Sequence, residues 1–305
     1  MKRALVIGSS GQVAAAFRES LEARGIPFVS SSSRAEPRLD LADPASIRSF
    51  FASAGDEPAE VFLAGALTHV DRCEEERELC HRMNADGPAL IAAECRARGH
   101  KLTFFSTEYV FGNAEYEGGA VGPFSETDPP APSSYYGACK WEAEKRIQET
   151  LGSEALIVRT TMVFSWAPRG NNFLMQYHKQ LREIAAGGKP PIFRIPADQI
   201  STPAYAPFLA EATLALRAKS ASGIFNLVGS DLLSRPELVE RVIAEFGFDR
   251  AKSLEGFRFL QTAELGQKAR RPLTAGLTMA KAEKFGVTAI SLDEAFARIR
   301  ALRGE

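Results

Sequence analysis

The sequence predicts an α/β protein with a doubly wound parallel sheet and a smaller, mostly helical second domain. Two observations lead to this prediction. Strand-like and helix-like segments alternate through the first half of the chain, which is typical of right-handed βαβ units. A glycine-rich segment, Gly8 to Ala14, separates the first strand from the first helix. The second half has fewer strand-like segments, so it predicts a separate helical region.

The elements follow from the spacing of apolar residues along the chain. Short apolar runs predict five strands, at 2–7, 27–31, 59–63, 101–106 and 155–160. Helical spacing predicts the helices between them, at 11–24, 44–54, 71–98 and 134–151. In the second half it predicts a strand at 224–228 and helices at 171–186, 204–219, 235–246, 279–285 and 291–302. We expect one domain over 1–165, joined by parts of 190–228, and an interleaved second domain over 166–305. The glycine- and proline-rich loop from Gly112 to Ser134 should border the functional site.

Composition excludes several classes of protein. The formal net charge of −1 argues against a nucleic-acid-binding surface. The four cysteines form no CxxC pair, which favours reduced thiols in a cytoplasmic protein. No segment reaches the roughly 20 apolar residues that a membrane span requires.

The segment from Gly8 to Ala14 is typical of a Rossmann dinucleotide-binding turn. Gly8 permits the tight turn, and Gly11 lets the backbone approach a pyrophosphate at the start of the helix. Ala14 replaces the third glycine, and its methyl is small enough for helix–strand contact. The alternative is a tight turn that binds no ligand.

The residues after the second strand indicate which dinucleotide binds. An acid at this position usually binds the 2′-hydroxyl of NAD. This chain has four serines, Ser30 to Ser33, followed by Arg34, and no acid before Glu36. A guanidinium with nearby hydroxyls suits a 2′-phosphate, so we expect NADPH rather than NADH. An ordinary surface arginine in a polar loop is the alternative.

Tyr136 and Lys140 suggest the chemistry. Residues four apart share one helix face, and we expect the ammonium to lower the phenol pKa towards neutrality. Tyr136 could then donate a proton to a carbonyl that is being reduced. The alternative is that Tyr136 packs in the core while Lys140 is solvated.

Thr107 and Tyr109 follow the strand at 101–106, where ligands of parallel sheets bind. Thr107 could donate a hydrogen bond to the substrate oxygen. Alternatively, its hydroxyl caps a turn or a helix.

Together these motifs resemble the extended short-chain dehydrogenase/reductase family, and within it the dTDP-4-dehydrorhamnose reductases. The resemblance runs nearly from end to end of the chain. It rests on GSSGQV from Gly8, the segments Thr68 to Glu74 and Asn84 to Pro88, STEYVFG from Ser106, Phe124 to Glu126, Asp128, Tyr136 to Lys140, Gly170 to Phe173, Asp198, Gln199, Pro203, Tyr205, Arg271 and Pro272.

The resemblance implies roles for particular residues. It makes Thr107, Tyr136 and Lys140 the catalytic triad, with Lys140 also bonded to the nicotinamide ribose. The other cofactor-binding residues would be Gly8, Ser10, Gly11, Gln12, Val13, Arg34, Asp40, Leu41, Gly65, Ala66 and Thr68. The nucleotide-sugar would contact Thr68, Thr107, Tyr109, Tyr136, Met162, Asn171, Asn172, Phe173 and Gln199.

Two positions depart from the family pattern. Met162 stands where these reductases commonly carry a tryptophan that packs on the sugar ring, so the sugar itself stays open. Some members bind magnesium through an acid on the first helix, where this chain has Ala16, and we therefore expect no metal.

The leading hypothesis is an NADPH-dependent reductase of a nucleotide-linked 4-keto-6-deoxy sugar. A nucleotide-sugar epimerase or dehydratase is a second reading, although the dehydratases need two acids after the threonine and here Glu108 is followed by Tyr109. A third reading is a regulatory subunit like that of methionine adenosyltransferase, which acts through a protein partner. The sequence leaves open whether the protein forms a homodimer.

Overall fold

The computed structural model describes residues 1–34, 36–55, 57–112, 118–119, 121–167 and 170–304. In this part of the chain the strands are β1 (Ala4–Ile7), β2 (Phe28–Ser31), β3 (Glu60–Leu63), β4 (Lys101–Thr107), β5 (Ala155–Thr160), β6 (Phe193–Pro196), β7 (Ile200–Ser201), β8 (Gly223–Asn226), β9 (Leu233–Ser234) and β10 (Phe257–Leu260). Six strands form one parallel sheet in the order β2-β1-β3-β4-β5-β8. The predicted doubly wound parallel sheet is confirmed.

Helices cover both faces of this sheet. The described α-helices are α1 (Gln12–Ala23), α2 (Pro44–Ala54), α3 (Val70–Glu75), α4 (Arg77–His81), α5 (Gly87–Arg98), α6 (Tyr135–Leu151), α7 (Phe173–Ala185), α8 (Ala206–Ala218), α9 (Arg235–Glu245), α10 (Arg250–Leu254), α11 (Ala280–Lys284) and α12 (Leu292–Arg303). None of these helices is long and apolar enough to cross a membrane.

Alternate side chains of each strand enter different cores. Leu5 and Ile7 of β1 pack with the buried faces of α2, α5 and α6. Val6, between them, packs on the opposite side with Phe17 of α1 and continues into the core of the second half of the chain. A strand that is buried on both faces reads as a continuous apolar run, which is why the first strands were predictable.

The predicted helix over 71–98 is wrong as a single element. The backbone leaves helical geometry at Glu76, and a π-helical turn at Arg82–Asp86 separates α4 from α5. Buried Asn84 lies in that turn and uses its carboxamide to bind both the amide and the carbonyl of Leu67, at 2.9 Å each. The turn therefore fixes the loop that follows β3.

The second half contains strands that the sequence pattern did not predict. β6 pairs with β10 in parallel, and β7 pairs with β9 in antiparallel orientation. The short helix α10 was missed as well. Strands of only two to four residues show too little apolar periodicity to be recognised in the sequence. The predicted strand at 224–228 corresponds to β8, which joins the large sheet. In the predicted loop from Gly112 to Ser134, residues 113–117 and 120 lie outside the described residues.

A buried ion pair attaches α6 to the sheet. Arg159 of β5 donates to both carboxylate oxygens of Glu144, at 3.0 and 2.6 Å, and each side chain is only 1% exposed. Ser106 of β4 donates a further hydrogen bond to the same carboxylate. Such a pair is costly to break, because removing one charge leaves the other buried without compensation.

We expect Glu144→Gln to lower the free energy of unfolding by about 3–5 kcal/mol, since it leaves the Arg159 charge buried and unpaired. Urea unfolding followed by circular dichroism measures the change. Glu149→Gln is the matched control, because Glu149 lies on the exposed side of the same helix. Equal effects of the two substitutions would show that the ion pair does not hold the helix.

Candidate active site

The glycine turn, the end of β2 and the end of β3 meet at one edge of the sheet. The amides of Gly8 and Ser9 donate to the carbonyl of Ser31, at 2.8 and 2.9 Å. Gly8 has a φ of +100°, and a Cβ there would lie 2.5 Å from the amide nitrogen of Gly65. Only glycine satisfies both conditions. Gly11 directly precedes α1, and no side chain caps the first amides of that helix.

Helix α6 brings Tyr136 and Lys140 to the same edge. Ser134 begins the helix by accepting a hydrogen bond from the amide of Gly137, at 3.2 Å. A Cβ at Gly137 would lie 2.0 Å from the carbonyl oxygen of Tyr109, so glycine lets the helix approach closely. Tyr136, Lys140 and Thr107 line one cavity of about 360 Å³.

Tyr136 is a buried phenol that keeps its proton. Burial raises the pKa of Tyr136, and a hydrogen bond with Thr107 opposes this rise only in part. Its ring also meets that of Tyr109 edge to face, at 5.7 Å between centroids. The expectation that Lys140 lowers the Tyr136 pKa is wrong, because burial is the dominant effect. A phenol that is protonated at neutral pH is nevertheless the form that a proton donor requires.

The ammonium of Lys140 is held by the sheet. Its Nζ donates to the carbonyl of Phe105 at 2.5 Å and lies 3.9 Å from the ring centroid of Phe104. Burial lowers the pKa of Lys140 to about 7, while the negative charge of Glu144 works against this change. Lys140 can therefore gain or lose its proton near neutral pH.

Both carboxylate oxygens of Glu108, the residue directly after Thr107, accept hydrogen bonds. One carboxylate oxygen accepts from Thr161, and the other accepts from Ser201 at 2.8 Å and from the amide of Gly276 at 3.0 Å. Burial raises the pKa of Glu108. This side chain joins the end of β4 to the segment after β5 and to the second half of the chain.

The predicted cofactor residues divide into four groups. Six line the cavity: Gln12, Val13, Ala66, Thr68, Tyr136 and Lys140. Gly8, Gly11, Gly65 and Leu41 form the turns around it, whereas Ser10 and Arg34 are exposed at the same edge. Asp40 instead shapes its own turn, because its carboxylate accepts from the amide of Ala42 at 2.9 Å.

Gln12 ties the glycine turn to the second half of the chain. It donates to the carbonyl of Val163 at 2.7 Å and accepts from Ser165 and from Asn172, both at 3.1 Å. Asn172 in turn begins α7 by accepting from the amide of Met175. Both side chains therefore have structural partners already.

Only some of the predicted substrate-binding residues line the cavity that holds Tyr136. The five that line the cavity are Thr68, Thr107, Tyr109, Tyr136 and Met162. Asn171 lines a different, open groove next to Trp166 and His178. Phe173 packs against Phe164, and Gln199 donates to Thr262 at 3.0 Å. Asn171, Asn172, Phe173 and Gln199 thus lie outside the cavity that holds Tyr136.

Two features of the cavity were not predicted. Arg235, the first residue of α9, lines it from the second half of the chain, and no sequence motif marked that position. Met162 has a φ of 40°, a conformation that residues other than glycine rarely adopt and that is often found at functional sites. In the described ranges, no group of three or more His, Cys, Asp or Glu side chains could hold a metal ion.

A dinucleotide-type glycine turn and a tyrosine–lysine helix at one sheet edge define the arrangement of a short-chain dehydrogenase/reductase. The family model described as RmlD substrate binding domain matches residues 1–300, and the chain belongs to this family.

Individual relatives match over nearly the whole chain. The dTDP-4-dehydrorhamnose reductase of Burkholderia thailandensis is 30% identical and covers 93% of both chains. The spore coat polysaccharide biosynthesis protein SpsK of Bacillus subtilis is 29% identical over 94% of this chain and 93% of its own. The crystal structure of the Bacillus anthracis dTDP-4-dehydrorhamnose reductase in complex with NADP has a TM-score of 0.83, with 24% identity over 97% of this chain and 98% of that one. That last likeness shows the shared fold.

We expect Lys140→Met to change how stability depends on pH. Unfolded Lys140 has a pKa near 10.5 and folded Lys140 one of about 7, so between these values the unfolded chain binds more protons. The wild-type free energy of unfolding should therefore rise, relative to that of the variant, by about 1 kcal/mol per pH unit from pH 7 upwards. Urea titrations of both proteins at pH 6, 8 and 9.5 measure this difference. A constant difference across these pH values would contradict the lowered pKa.

Proposed function

We propose that the protein is an NADPH-dependent reductase of a nucleotide-linked 4-keto-6-deoxy sugar. One observation carries this proposal: Tyr136, Thr107 and Lys140 share a cavity with Gln12 and Val13 of the glycine turn. A proton donor thus lies next to the place where a dinucleotide would bind. Relatives at 28–30% identity named dTDP-4-dehydrorhamnose reductase support the same activity.

The edge of the sheet suits NADP. The glycine turn and the amino terminus of α1 would hold the pyrophosphate, and Ala66 and Thr68 would line the nicotinamide side. Arg34 is exposed beyond β2, where a 2′-phosphate would lie, and the Bacillus anthracis reductase was crystallised with NADP. When bound, this cofactor supplies the hydride.

The side chains divide the remaining work. Thr107 and Tyr136 would both hydrogen-bond the carbonyl oxygen of the sugar, and Tyr136 would donate its proton as the oxygen gains negative charge. Lys140, held by the carbonyl of Phe105, would hydrogen-bond the nicotinamide ribose and so position the cofactor. The walls of the cavity, buried Phe105 and half-buried Val163 among them, limit the access of water.

The geometry of Glu108 separates this function from dehydration. Elimination needs a free acid and base beside the sugar, whereas both oxygens of Glu108 already accept hydrogen bonds and the next residue is Tyr109. We therefore favour carbonyl reduction over a nucleotide-sugar dehydratase.

Met162 leaves the sugar itself to be determined by assay. Methionine is flexible and offers no aromatic face for stacking on the sugar ring. NADPH oxidation should be followed at 340 nm with 4-keto-6-deoxy sugars carried on dTDP, UDP and GDP. Turnover of at least one of them supports the reductase, and no turnover of any of them contradicts it.

We expect Arg34→Ala to weaken NADPH binding by roughly 10- to 100-fold, because a charge-assisted hydrogen bond is worth about 1.5–3 kcal/mol. NADH binding should stay almost unchanged, since NADH lacks the 2′-phosphate. Fluorescence titration with both cofactors measures the two affinities. Arg48→Ala, at an exposed position on α2, is the control. Equal losses for the two cofactors would rule out this role of Arg34.

We expect Tyr136→Phe to reduce turnover by about 10²- to 10⁴-fold, the usual cost of losing a general acid. The ring and its contact with Tyr109 are kept, so NADPH affinity should be preserved. Tyr135→Phe is a matched control on the same helix, because Tyr135 does not line the cavity. Near-normal turnover of Tyr136→Phe in the steady-state assay would refute this role of the phenol.

A further inference from the structure

Arg235 brings a positive charge into the cavity from the second half of the chain. It follows the last residue of β9, and its amide donates to the carbonyl of Gln199, just before β7, at 3.2 Å. The β7–β9 pair therefore fixes the backbone of Arg235. Its side chain is half-buried and lines the same cavity as Tyr109, Tyr136 and Met162.

The carboxylates near Arg235 accept hydrogen bonds from other groups. Glu108 accepts from Thr161, Ser201 and Gly276. Glu237 accepts from the amide and the hydroxyl of Ser234, both at 2.7 Å, and Asp198 accepts from Thr262. Among the described residues, no carboxylate forms an ion pair with Arg235.

The positive charge of Arg235 nevertheless affects the pKa values of groups inside the cavity. It opposes the rise in the pKa of both Glu108 and Tyr109 that burial causes. Tyr109 in turn meets the ring of Tyr136. The guanidinium thus lies on the side of the cavity where the sugar would sit in the proposed reaction.

A half-buried guanidinium has several N–H donors in a fixed plane, and this plane matches the geometry of a carboxylate or a phosphate. Partial removal of these donors from water is unfavourable unless an acceptor replaces the water. We propose that Arg235 is a specificity-determining residue that binds an oxyanion of the substrate. This inference rests on the proposed function, in which the substrate is a nucleotide-linked sugar.

Two parts of such a substrate could supply the oxyanion. One is the diphosphate that links the nucleoside to the sugar. The other is a carboxylate on the sugar ring, which a 6-deoxy sugar lacks, so binding through it would replace the 6-deoxy sugar of the proposed function with a nucleotide-linked uronate. Both would pair with Arg235 in the same bidentate manner, so binding experiments must tell them apart.

The experiment measures ligand binding to the NADP-loaded protein by calorimetry, and it requires no turnover. The variants are Arg235→Gln, which removes the charge, and Arg235→Lys, which keeps the charge without the planar fork. Arg258→Gln is the matched control, because Arg258 is exposed on β10 and does not line the cavity. The ligands are thymidine, dTDP, UDP-glucose and UDP-glucuronate.

If Arg235 binds the diphosphate, Arg235→Gln should weaken dTDP by about 10- to 100-fold and leave thymidine unchanged. If it binds a sugar carboxylate, the loss should be confined to UDP-glucuronate relative to UDP-glucose. Arg235→Lys should give a smaller loss in either case. Each of these patterns supports an oxyanion site, and the control should show neither.

Three results would overturn the inference. The first is that Arg235→Gln weakens thymidine as much as dTDP, and UDP-glucose as much as UDP-glucuronate. The second is that the affinities of Arg235→Gln lie within about twofold of those of the control. The third is that the wild type binds none of the ligands. The proposed reductase is tested separately. A protein that binds dTDP through Arg235 but reduces no keto sugar would refute only the reductase. A reductase insensitive to Arg235 would refute only this inference.

Discussion

The buried pair between Glu144 and Arg159 is the constraint on which the candidate site depends. Glu144 is one helical turn after Lys140 and two turns after Tyr136, so its attachment to β5 fixes the depth and the rotation of α6. Ser106, bound to the same carboxylate, directly precedes Thr107. One charged group therefore aligns the helix and the strand that carry the three candidate catalytic side chains. A buried pair adds little net stability but is costly to break, which suits a positioning role.

The other half of the site depends on hydrogen bonds that cross between distant parts of the chain. Gln12 connects the glycine turn to Val163 and Asn172, and Glu108 connects the end of β4 to Ser201. These contacts set the cavity between the parallel sheet and the second half of the chain. The Gln12 carboxamide does not titrate, and the Glu108 carboxylate accepts hydrogen bonds from Thr161, Ser201 and Gly276, which leaves the chemistry to Tyr136 and its neighbours.

The sequence predicted those elements whose conformation depends on neighbouring residues, such as the strands and the glycine turn. The parallel strands were recognisable because both of their faces are buried, and Gly8 was recognisable because its turn requires glycine. The pairing of Tyr136 with Lys140 followed from helical spacing. The π-helical turn at Arg82–Asp86 was not predictable, since its Asn84 hydrogen-bonds back to Leu67 in a distant loop.

The remaining differences between expectation and structure share a cause, which is that they depend on contacts between distant segments. The pKa of Tyr136 rises because of burial, and sequence spacing does not report burial. Gln199 and Asn172 looked like substrate residues, but partners elsewhere in the chain use their carboxamides. Arg235 was missed because it reaches the cavity only through the pairing of β7 with β9. The sequence thus indicated the class of chemistry, while the shape and charge of the cavity required the structure.

Transfer of deuterium tests the central claim most directly. The protein should be incubated with NADPH carrying deuterium at C4 of the nicotinamide, on the face that is transferred, and with each nucleotide-linked 4-keto-6-deoxy sugar. Mass spectrometry and proton NMR then locate the label. Our account predicts one deuterium at C4 of the product sugar, a label that is absent when Tyr136 is replaced by Phe over the same period. Product that carries no deuterium with either face labelled, or label at another carbon, would contradict reduction of the carbonyl by hydride transfer.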